Sequence, residues 1–191
     1  MGLKIVTPPA AEPLTLAEAK AHLRVDSASE DDLITGLIKA AREWCEEYQN
    51  RAYITQTWDL CLDAFPESPS YLPKPPLQSI ASFKYYDKEG TEHVFDAADY
   101  VVDTAGFKGR ISLAYGKSWP SVTLQPMNGV VIQFVAGYGD AGTDVPERIR
   151  SAIKLLIGHL YENREATSIK ALSEVPFAIY ALLGLDRIWP V

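Results

Sequence analysis

The residues of this chain whose types could do chemistry are three histidines, two cysteines and one glycine-rich run. His22, His93 and His159 would suit a zinc centre or a general base, but no two of them stand at the i, i+4 spacing of a zinc-binding helix. Cys45 and Cys61 have neither metal-ligand spacing nor a disulfide framework around them, and read as core packing. Gly137-Tyr138-Gly139 has the look of a nucleotide loop, yet lacks the lysine of a phosphate-binding loop and the third glycine of a dinucleotide fingerprint. No serine sits in a Gly-x-Ser-x-Gly frame. Acidic pairs such as Glu46/Glu47 fall on helical stretches, where solvation or capping explains them. Taken together, these residues argue for no enzyme, no metal and no cofactor.

The elements that would position them are bracketed: helical segments at both ends enclose a strand-rich middle. Thr15 with Glu18 three residues later is a capping box, opening a short helix to about Arg24. Asp26 to Ser29 forms a polar turn, with Ser29 as cap for a second helix. In that helix Leu33, Ile34, Leu37, Ile38, Ala41, Trp44, Cys45 and Tyr48 repeat at helical spacing as one apolar stripe. Arg42, Glu43, Glu46 and Glu47 take the other faces, and Asn50 is the stop.

From Ile54 the period changes to strands: Ile54–Asp63, Ile80–Asp87 with a turn into Thr91–Phe95, Tyr100–Asp103, Arg110–Ala114, and the most apolar, Val130–Ala136, central to the sheet. Five prolines between Phe65 and Pro76 make that stretch a loop. Asp144 and Pro146 open a helix to about Asn163, and Val175 to Leu185 form a last one. The expected fold is α+β: one domain over 1–191, with an extended arm (1–13), a mainly helical core (14–50 and 144–186), an antiparallel β-rich insertion (52–137) and an apolar tail (187–191).

Composition narrows the function. A net charge of -7 is the wrong sign for neutralising phosphates and suits a passage through which DNA slides. No apolar run is long enough to span a bilayer. Trp189, beside Ile188 and Val191, is unusual so near a chain end: it either folds back on its own domain or anchors in another subunit.

A series of short words resembles the head–tail connector (adaptor) proteins of long-tailed phages and related gene-transfer particles. They run from Glu12-Pro13-Leu14-Thr15-Leu16-Ala17-Glu18-Ala19 through Asp31-Asp32-Leu33-Ile34, Ala40-Ala41-Arg42-Glu43 and Ile54-Thr55-Gln56-Thr57-Trp58. Leu72-Pro73, Pro75-Pro76-Leu77, Ala136-Gly137-Tyr138-Gly139, Val145-Pro146 and His159-Leu160-Tyr161-Glu162-Asn163-Arg164-Glu165 follow. Their order covers nearly the whole chain.

The resemblance implies a structural ring in the virion neck, usually twelve-fold, assembled in the bacterial host cytoplasm. Such a ring sits between the portal protein and a tail-side stopper or terminator, and its channel passes DNA without sequence-specific binding. It also implies that the C-terminal region contacts the portal, which by position nominates Leu185, Ile188, Trp189 and Val191. Arg164 and Glu165 are candidates for bridging neighbouring subunits, equally explained as a local cap and ion pair, and Tyr71 and Leu72 in the proline-rich loop are a second interface candidate. The alternatives are a different neck protein (stopper or tail terminator) or a soluble binding module holding a ligand or peptide between Tyr85, Tyr86 and Tyr115.

Overall fold

The structure, a computed structural model, describes residues 1–163 and 177–189. Two compact units make up the chain. One holds Met1–Pro9 and Thr55–Tyr138, the other Ala10–Ile54 and the chain from Gly139 on.

The first unit is built of strands: β1 (Gly2–Thr7), β2 (Gln56–Leu62), β3 (Ser70–Tyr71), β4 (Leu77–Tyr86), β5 (Glu92–Val94), β6 (Tyr100–Asp103), β7 (Arg110–Leu113) and β8 (Val130–Ala136). They form a five-stranded sheet in the order β1-β2-β8-β4-β5 and a three-stranded sheet in the order β3-β7-β6, every pair antiparallel. The alternation of β8 explains its central place: Val130, Ile132, Phe134 and Ala136 are fully buried, while Val131, Gln133 and Val135 on the opposite face are half-buried. Across the sheet these residues align in rows. Leu3 stands opposite Leu60, Leu60 opposite Ile132, and Ile132 opposite Phe83. Phe83 also meets the rings of Phe95 and Trp119 at 5.1 and 5.5 Å, and Trp119 stacks on Phe65 at 5.3 Å. Each such ring contributes about 1.5–3 kcal/mol through burial, so this unit has a core of its own.

The second unit carries the helices α1 (Leu16–Leu23), α2 (Asp31–Gln49), α3 (Glu147–Glu162) and α4 (Phe177–Gly184). α1 opens on the expected capping box. Glu18 N–H donates to Thr15 Oγ1 at 3.2 Å and Thr15 N–H donates to the Glu18 carboxylate at 2.9 Å. Asn50 ends α2 in the left-handed conformation, φ 54°. The buried residues of α2 include Ile34, Ile38, Ala41 and Cys45, and those of α3 are Ile149, Ala152, Ile153, Leu156 and Ile157. No helix among the described residues is long and apolar enough to cross a membrane.

The fold corrects the expectation of a mainly helical core with a β insertion. Four helices and two antiparallel sheets are present among the described residues, and the strands carry an independent core instead of decorating a helical one. The physical reason lies at the N-terminus. Where prolines at positions 8, 9 and 13 suggest an extended arm, Gly2–Thr7 is β1, a full edge strand hydrogen-bonded to β2. A second difference concerns α2. Arg42 and Glu46, assigned to polar faces, are buried at 5% and 7% exposure because they satisfy each other.

The capping box supplies a pH test. The Thr15 backbone N–H is the main influence holding the Glu18 carboxyl below its ordinary 4.5; burial opposes it, and the Thr15 hydroxyl and Arg150 add to it. A carboxyl lowered on folding stabilises fully above its unfolded value, and that contribution is lost as pH falls through the folded one. Glu18→Gln is therefore expected to lower the urea midpoint at pH 7, with the gap to wild type narrowing below about pH 4.5. A gap that is constant with pH would contradict this.

Candidate interaction surface at the end of the helical unit

The last described residues, Leu185–Trp189, do not dangle. Three successive residues at the end of α2 hold them, mostly through main-chain atoms. The Gln49 side-chain amide donates to the Leu183 carbonyl at 2.6 Å, and the Gln49 main-chain carbonyl accepts from Ile188 N–H at 2.9 Å. Asn50 Nδ2 donates to the Ile188 carbonyl at 2.7 Å, and Arg51 Nε to the Asp186 carbonyl at 2.9 Å. The Asp186 carboxylate in turn pairs with Arg148 of α3. Gln49 can do this because it is itself buried and fixed: its side-chain oxygen accepts from Tyr53 Oη at 2.7 Å.

With its backbone held, the segment presents side chains outward. Leu185 is 75% exposed, Trp189 67% and Phe177, at the start of α4, 83%. Beside them Trp44 stacks on Tyr48 at 5.4 Å, and Tyr180 packs edge-on against Trp44 at 5.9 Å. The Arg187 guanidinium lies 4.3 Å from the Tyr48 ring centre and 4.2 Å from that of Trp189, so it stiffens the tryptophan without covering it. Large rings held rigid yet exposed lose little entropy on docking, which is the composition of binding hot spots.

Of the residues nominated for portal contact, Leu185 and Trp189 thus face solvent, Ile188 is half-buried, and Val191 lies outside the described residues. Arg164 and Glu165 also lie outside them. In the strand unit Tyr71 is 59% exposed, beside Arg110 and Phe107 in an open hollow, whereas Leu72 is buried. Sequence reading missed Phe177; the signal was present, since Phe177–Gly184 is apolar on every side and a helix of that kind cannot bury all of itself against one neighbour.

The residues first considered for chemistry are used otherwise. Burial pushes the Cys45 thiol up to about 12, which keeps it protonated and unreactive. His93 pairs with Asp87 at 2.8 Å and stacks on Tyr85, so Tyr85 is engaged within the β4–β5 hairpin; Tyr86 Oη donates to Glu92 at 2.8 Å. Tyr115 is fully exposed. These tyrosines do not converge on one cavity among the pockets described. Among the described residues no three metal-binding side chains are placed to hold an ion. The glycine run is structural: Gly137 has φ 136°, and a Cβ on Gly139 would come 2.2 Å from Asp144 Oδ2, whose carboxylate accepts from Ala141 N–H.

Residues 13–106 match the sequence profile of the phage gp6-like head-tail connector proteins. That match, over 94 of the 191 residues, supports the head-tail connector family for this chain. No curated protein matches the chain in sequence. Among solved structures it resembles a chain in the neck of an empty gene transfer agent particle computed with C6 symmetry. The two share 28% identity with a TM-score of 0.81, over 100% of this chain and 97% of that one. A chain of a native gene transfer agent virion (TM-score 0.83, 26% identity) and one in a native neck computed with C12 symmetry (0.75, 26%) align over the same shares.

Proposed function

We propose that the connector is a structural subunit of a virion neck, forming a twelve-fold ring between the portal protein and a tail-side stopper or terminator. The observation that carries this reading is the end-to-end likeness to neck chains of gene transfer agent particles, over 100% of this chain. The net charge of -7 is compatible with a channel along which DNA moves without sticking. A ring needs heterologous lateral contacts that close by rotation, and stable contacts of that kind bury roughly 1,200–2,000 Å².

Within the ring, the exposed end of the helical unit is the portal anchor, with Leu185 and Trp189 inserted into the partner and Arg187 carrying the tryptophan. Val191 remains a candidate portal contact by its place in the sequence, and Arg164, Glu165 and Tyr71 remain candidate contacts between neighbouring subunits. The test is electron microscopy of the chain mixed with its portal protein, comparing wild type, Trp189→Ala and a chain ending at Ile188. Wild type is expected to stack as a ring on the portal. Loss of the tryptophan should weaken binding at least thirty-fold, about 2 kcal/mol, with an unchanged urea midpoint because the ring is exposed. Stacking that survives in both variants would move the anchor elsewhere; a wild-type chain that never stacks would overturn the portal role.

A further inference from the structure

The five-stranded sheet is open at both sides, and the two openings match. Among the described residues β1 pairs only with β2. At the other side β5 covers β4 only over Lys84–Tyr86, with one further bond from Phe95 N–H to the Phe83 carbonyl. The half of β4 before that, Leu77–Ser82, bonds along its β8 side alone among the described residues. Exposed edges of this length invite pairing, and folded monomers usually blunt them with charges or prolines. Little blunts either edge in that way, although both carry bulges: the register shifts between Ile5 and Thr7 in β1, and between Leu77 and Ser79 and between Ile80 and Ser82 in β4. β1 has the single charge of Lys4, and Leu77-Gln78-Ser79-Ile80-Ala81-Ser82 has neither charge nor proline. The one long polar side chain there, Gln78, is turned back to Thr55 Oγ1 at 3.0 Å and the Gly137 carbonyl at 2.9 Å, which leaves small residues over the edge.

The apolar rows point the same way. Leu3 ends the row through Leu60 and Ile132 to Phe83, and Ile5 ends the row through Trp58 and Phe134 to Ile80. These rows are buried in the centre but leave Leu3 37% and Ile5 41% exposed at the edge, like rows cut short. Strand directions complete the fit. β1 runs parallel to β8 and so antiparallel to β4. A second copy set beside the first in the same orientation would present its β4 antiparallel to β1, with the apolar faces of both sheets on one side. β1 is six residues long, and the open half of β4 has the same length.

We infer that the occupant of each edge is a second copy of this chain: β1 of one subunit adds to the Leu77–Ser82 edge of β4 in the next, so that one sheet runs from subunit to subunit. The contact is heterologous and can therefore close into a ring. This inference rests on the ring reading above and names one of its lateral contacts.

The experiment uses the full chain with Cys61→Ala, since Cys45 is buried, and adds Lys4→Cys and Ser79→Cys, which lie on the same half-exposed face of the sheet. A short bismaleimide is applied across the concentrations over which sedimentation follows assembly. The double variant is expected to give a ladder of covalent multimers, and each single variant none. Ile5→Lys, which places a charge at the open end of a row, is expected to raise the concentration needed for assembly at least tenfold with an unchanged urea midpoint. Rings seen by microscopy without a ladder would overturn the strand contact and leave the ring reading standing. Dimers from Lys4→Cys alone would show β1 pairing with itself and overturn it as well. A chain monomeric at every concentration, with no ladder, would overturn both.

Discussion

Arg42→Met should unfold the protein more readily than any other single exchange considered, by about 3–5 kcal/mol at neutral pH. The side chain is only 6% exposed and serves three carboxylates at once: Nε donates to Glu12 at 2.7 Å, Nη1 to Glu46 at 2.7 Å and Nη2 to the more exposed Glu43 at 3.3 Å. Burial works to lower its pKa, but Glu12 and Glu46 outweigh that and hold it above the ordinary value. Methionine fills similar space and leaves Glu46 charged with its cation gone. The deficit is read as the fall in the urea midpoint at pH 7. Adding Glu46→Leu should not restore wild-type stability, because Tyr53 N–H donates to Glu46 at 2.7 Å and would lose its acceptor. A single variant within about 1 kcal/mol of wild type would show the network to be worth no more than a surface pair.

Gln49→Ala should cost about 2–4 kcal/mol, because two buried groups lose a partner together: the Leu183 carbonyl and the Tyr53 hydroxyl. Tyr53→Phe removes only the second of these bonds and should cost about 1 kcal/mol. The larger consequence is local. With the Gln49 side chain gone, α4 and the segment after it lose their first tether to α2, so trypsin should cut after Arg187 many times faster than in wild type. The proposed binding to a portal protein should weaken even where the protein remains folded. Cleavage at an unaltered rate, followed by mass spectrometry, would mean that Asn50 and Arg51 hold the segment without Gln49.

How much of this the sequence discloses depends on whether a signal is local. The Thr15–Glu18 capping box, the Asn50 stop and the apolar run of Val130–Ala136 as a central strand each depend on a few neighbouring residues, and each is present as read. Arg42 and Glu46 were misplaced because a polar residue is read as solvent-facing by default, and Gln49 was passed over; their burial depends on Glu12, Tyr53 and Leu183, which no periodicity links to α2. β1 was missed for a related reason. Its partner lies some fifty residues downstream at Gln56–Leu62, and the prolines after it dominate the local pattern. The resemblance carried the functional reading further than the residues alone could, since a structural surface leaves no motif. Trp189 was singled out for its place near the chain end, while Phe177, equally exposed, was hidden inside an apolar helix.

The way the final segment is held also bears on how this protein can change over generations. Its position depends on carbonyl and amide groups of Leu183, Asp186 and Ile188, which every residue type except proline can supply in full. Leu185 and Trp189 can therefore be exchanged without loosening the grip of Gln49, Asn50 and Arg51. Selection acting on a partner's surface can rewrite those two positions in step with it while the fold beneath stays constant. The socket is inherited and the plug is free to drift.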